Sequence, residues 1–209
     1  MGTMRRSMKD IALNALEGGV LGGGRRTLRD LLGSLSEGPV AVDVWTEDDL
    51  GFVLLLHRRG DGPASEELYY SVRDEAGEWQ ACEHLGGALL GFGVDVPAPL
   101  RQALTGSPLS VVSETEALID TGRGDTEDGY ETVRVLTVLV GDDVDVLEVE
   151  ASSSGSTALL GRRTLEVGAP LVVLVVTPDK RLTVSPRQRE GTSLTVIGDA
   201  LEFSFRAGF

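Results

Sequence analysis

The chain has 209 residues, 41% hydrophobic and 25% charged, an ordinary balance for a globular protein of one larger domain or two small ones. Its 33 Asp and Glu against 19 Lys and Arg leave a net charge of −14; residues 1–35 carry +3, so the other 174 carry −17. Such an acidic body repels phosphate backbones, which argues against nucleic acid and for a basic protein as partner. The single cysteine, Cys82, excludes an intramolecular disulfide.

No stretch approaches the roughly 20 apolar residues of a membrane span. Asp10 and Glu17 interrupt anything resembling a signal-peptide core, so a cytoplasmic location is expected. Arginine outnumbers lysine 17 to 2 and Asn14 is the one asparagine, a bias of GC-rich codons. Arginine therefore carries little weight as a functional marker here.

Residues 1–38 read as a helical arm. Ser7-Met8-Lys9-Asp10 has the spacing of a capping box, and Ile11, Ala12, Ala15 and Leu16 follow on one helical face until Gly18-Gly19 ends it. A second helix starts near Arg25 and repeats Leu28, Leu31, Leu32 and Leu35 at i, i+3, i+4 and i+7, with Arg25, Arg26 and Arg29 on its polar side. Gly38-Pro39 stops it. These seven residues are the candidate interaction face of a basic amphipathic hairpin, which either caps an open end of the β domain or docks on a partner.

From residue 39 the pattern is β. PVAVDVW (39–45) and GFVLLLHR (51–58) flank an acidic turn, and ELYYSVR (67–73) and EWQACEHL (78–85) flank a second. Residues 39–93 thus form an N-terminal β region. The proline-rich stretch 94–108 reads as a crossover with a short helix started by Pro99. The C-terminal β region, 109–209, opens with a short strand over 109–113 and a mobile turn-rich loop over 120–129. Seven strands follow at 130–140, 144–151, 159–167, 171–177, 181–185, 193–197 and 201–206, joined by hairpin-length turns. The apolar run 171–176 should be central and covered on both faces. The expected fold is mainly β, an antiparallel sandwich or barrel with an N-terminal helical hairpin, residues 39–209 making one sandwich or two.

Few residues can carry chemistry. WQACEHLGG (79–87) holds Cys82 and His84, and a strand here would put both on one face with Gln80, opposite Trp79, Ala81, Glu83 and Leu85. Residues two apart on a strand lie about 6–7 Å apart, a spacing suited to two ligands of one zinc ion. His57 would be the third ligand and a carboxylate the fourth. The simpler reading makes Cys82 a small buried hydrophobe.

GDDVDVLEVE (141–150) lacks the order of an EF-hand loop. The two Arg-Gly-Asp triplets at 59–61 and 123–125 are what turns require. GGVLGGGRRTL is no P-loop, and no G-x-S-x-G elbow occurs. The expectation is a non-enzymatic acidic protein that binds another protein, or copies of itself, through its helical arm and acidic β surface, like an inhibitor or immunity protein. The alternatives are a small zinc enzyme at Cys82, His84 and His57, and a self-assembling structural component.

Overall fold

The computed structural model describes residues 6–20, 25–93 (of 91–93 the main chain alone), 104, 106–122, 129–154, 156 and 158–205. It is mainly β and antiparallel, with sandwich-like packing of sheets and no closed barrel among the described residues. The chain divides into two compact units, Met1–Pro99 and Leu100–Phe209. The predicted short helix near Pro99 and most of the loop 120–129 lie outside the described residues.

The first unit holds α1 (Met8–Gly18), α2 (Leu28–Ser34) and a four-stranded meander, β1 (Val40–Glu47), β2 (Leu50–Arg58), β3 (Pro63–Val72) and β4 (Glu83–Gly93), in that spatial order. α1 begins on a full capping box, Ser7 with Asp10, and ends at Gly19, whose φ of 74° lies in the left-handed region glycine favours. α2 starts at Leu28 rather than Arg25 because Thr27 makes the equivalent box with Asp30. Asp48, at φ 54°, turns β1 into β2.

β2 is buried from Leu50 to Leu56, so it is covered on both faces. On one of them Val53 and Leu55 join Tyr69 and Cys82 beneath Ala12, Ala15 and Leu16 of α1, with Ile11, Ala41, Val44 and Trp79 around the rim. Alanine at 12 and 15 lets the helix lie close to the sheet. Burying side chains such as Leu16, Val53 and Leu55 stabilises by roughly 1.5–3 kcal/mol each before entropy is counted. The expected arm is therefore docked: α1 packs on β1, β2 and β3.

The second hairpin differs from expectation. Residues 79–82 do not continue a ladder; Arg73 and Trp79 form one isolated bridge, and β4 starts only at Glu83. Trp79 and Cys82, three residues apart, both turn into the α1 cluster, which breaks the alternation a strand requires. The glycine-rich 86–93 is instead paired strand, Gly86 opposite Leu68 and Gly87 opposite Glu67.

The second unit has two antiparallel sheets. One is β5 (Leu109–Asp120), β6 (Tyr130–Val140) and β9 (Leu171–Val176), in that order. The other runs β11 (Ser193–Val196), β10 (Lys180–Glu190), β7 (Val146–Ser153) and β8 (Leu159–Glu166), with β12 (Leu201–Ser204) also on β10. β10 is long enough to hold two partners on one edge: β12 pairs along Arg181–Val184 and β11 along Arg187–Glu190. Leu147, Val149, Leu182, Val184 and Phe203 form its buried face. β9 is buried throughout, as its apolar run requires, yet it is the end strand of its sheet. The turn at Pro178-Asp179, closed by Lys180 N–H on the Thr177 carbonyl at 3.0 Å, carries the chain from one sheet into the other.

Candidate functional site

Both histidines of the chain meet on one carboxylate. In the β2–β3–β4 register Glu67 lies opposite Leu55 and Gly87, His57 opposite Ser65, and His84 opposite Tyr69, which puts all three on the sheet face that α1 covers further along. His57 Nε2 lies 2.9 Å from Glu67 Oε1 and His84 Nε2 2.7 Å from Oε2. An ionised carboxylate only accepts, so each imidazole donates from Nε2. Gly87 makes room for this: a Cβ there would fall 2.6 Å from Glu67 Oε2 and 2.6 Å from the Glu66 carbonyl. The His84 ring also tilts against Tyr69 with centroids 5.2 Å apart. Burial, and then the nearby Glu67 charge, push the Tyr69 hydroxyl pKa up.

The expected zinc set of His57, Cys82 and His84 does not assemble. Cys82 is 1% exposed within the α1 cluster, away from Glu67's two imidazole bonds. Desolvation raises its thiol pKa to about 11, with Lys9 opposing and Glu83 adding. A thiol held protonated at neutral pH is a poor nucleophile. Among the described residues no three His, Cys, Asp or Glu are placed to hold a metal ion.

The helical candidates separate by depth. Leu31, Leu32 and Leu35 are buried, Leu28 is half-buried, and Arg25 and Arg29 are exposed. Arg26 is half-buried and donates to the Ala41 carbonyl at 3.0 Å. Asp30 serves its own cap, and the Thr27 side-chain hydrogen bond holds its carboxyl pKa below the ordinary value. The surface of α2 therefore presents charge, and the leucines that define its amphipathic stripe belong to the interior.

A surface feature that sequence reading missed lies on β5, predicted as a five-residue strand and found to run for twelve. It is an end strand, pairing with β6 alone among the described residues. Glu114, Glu116, Leu118 and Asp120 share a face with Leu136, Arg134, Thr132 and Tyr130 of β6. At one end of this face Leu136 is buried, and Arg134 grips both Glu114 oxygens at 2.8 Å and donates to the Ser204 carbonyl of β12. Toward the other end the face opens: Leu118 is 66% and Tyr130 49% exposed, between Glu116 and Asp120. The alternation of Thr115, Ala117 and Ile119 with acids was the available signal.

β8, another end strand, exposes Leu159 and Leu160, and its Arg162 and Glu166 are ion-paired. Arg162 pairs with Glu150, Arg187 with Glu148 at 3.0 Å and Arg189 with Glu166 at 2.6 Å. Among the described residues no helix is long and apolar enough to cross a membrane. No protein-family model, no curated protein and no solved structure matches this chain.

Proposed function

We propose that the chain is a non-enzymatic binding module whose acidic β surface takes up an extended basic segment of another protein along β5, as an inhibitor or immunity-type protein does. The observation that carries the reading is the β5 ledge: a twelve-residue end strand with a highly exposed leucine set between two carboxylates. An open strand edge offers main-chain hydrogen bonds to an added strand, and side-chain pockets beside it select the sequence. Leu118 and Tyr130 supply the apolar contact, while Glu116, Asp120 and a net charge of −14 favour lysine and arginine in the partner. A second copy of this chain would bring equal negative charge, which disfavours self-assembly along this edge.

The test uses capped, fluorescein-labelled peptides of four Lys-Val repeats and of four Glu-Val repeats, followed by anisotropy. The basic peptide should bind at least about tenfold more tightly than the acidic one and weaken as salt rises from about 50 to about 300 mM. Leu118→Lys should cost about tenfold in affinity and Glu116→Gln a few-fold, with circular dichroism unchanged. Equal binding of the two peptides, or affinity indifferent to both substitutions, would overturn the reading.

A further inference from the structure

In the first unit a groove of about 460 Å³ opens between α1 and the start of β1. Ile11, Ala15, Pro39, Val40 and Ala41 supply apolar walls, and Arg6, Asn14 and Arg26 also line it. Its volume matches about 15 waters in the liquid and falls within the range of small-molecule sites.

Two arginines lining one largely apolar concavity stand out in a chain with 33 acidic residues. Arg26 spends one N–H on the carbonyl of Ala41, another residue that lines the groove, which anchors its side chain there. The remaining donors of a guanidinium suit a carboxylate, which they bind through paired hydrogen bonds. Asn14 spends one amide N–H on the Asp10 carbonyl, and Arg6 and Arg26 are the cationic residues that line the groove among the described residues. The walls are aliphatic, without an aromatic ring among them, and offer a flexible hydrocarbon chain a dry surface.

We infer that this groove is a binding site for a small amphipathic carboxylate, its aliphatic chain against Ile11, Ala15 and Val40 and its head group on Arg6 and Arg26. The site lies on a different unit from β5 and stands or falls independently of the peptide reading.

Decanoate is the probe, with decanol as the uncharged analogue and acetate as the isolated head group, measured by isothermal titration calorimetry on the full chain. Decanoate should bind saturably, one per chain, at least about tenfold more tightly than decanol, and acetate should not bind measurably. Arg6→Gln should weaken decanoate several-fold, and Arg26→Gln about tenfold. Asn14→Trp, at an exposed helix position that needs no repacking, should block the groove while circular dichroism stays unchanged. Absence of saturable decanoate binding, decanol binding as tight as decanoate, or full affinity in Asn14→Trp would each overturn the inference.

Discussion

Cys82 and Glu67, fifteen residues apart in sequence, meet opposite fates. The thiol is taken out of water, and the unfolded group ionises near 9.0 while the folded one waits until about 11. Between those values the folded chain binds more protons than the unfolded one, so this contribution is fully present below pH 9 and is lost as pH rises toward 11. The full effect amounts to roughly 2–3 kcal/mol. Urea unfolding at pH 8 and at pH 10.5 should show wild type losing more stability over that interval than Cys82→Ala, in which the thiol is gone. Parallel losses in the two proteins would refute the assignment, since Tyr69 titrates in both. At this scale the sequence suggested one strand face for Cys82 and His84, but the strand starts only at Glu83, after the cysteine. The sequence could not show that Glu67 unites the histidines, because one carboxylate among 33 is selected only by a register that pairs β3 with β2 and β4 at once.

At the scale of elements, the packing of α1 on the sheet turns on the absence of a side chain at Gly51. A Cβ there would lie 2.6 Å from Leu16 Cδ2 and 2.9 Å from the Trp79 ring, so both the helix and the indole depend on that space. Gly51→Ala should therefore cost about 1–3 kcal/mol in urea unfolding and red-shift the tryptophan emission as Trp79 is pushed outward, loosening the Arg73 guanidinium 4.4 Å from its ring. Wild-type stability and emission would show that the helix is not seated on β2 as described. The strands easiest to read were those with continuous apolar runs or clear turns, and the predicted bounds of β6 match the observed Tyr130–Val140. β4 was misplaced because Trp79 and Cys82 obey tertiary packing rather than alternation, and glycines at 86 and 87 disguised a strand in which Gly87 leaves room for Glu67.

Across the whole molecule the acidity is shared: residues 1–99 and 100–209 each carry −7, so the charge that repels copies of the chain belongs to both units. The units differ in how their sheets are completed. The meander of the first is laid down in chain order, each strand beside the last. In the second, half of one edge of β10 is filled only by β12, nearly twenty residues downstream, and Ser204 of that strand also receives Arg134 from the other sheet. Removing residues 199–209 should leave the Arg181–Val184 part of β10 with one bare edge, lower the melting temperature and produce larger species in sedimentation velocity. An unchanged melting temperature with a single monomeric boundary would count against that dependence. As the chain leaves the ribosome, β10 emerges before the strand that covers half of one of its edges, so until Leu201–Ser204 follow, that unpaired edge is open to other chains.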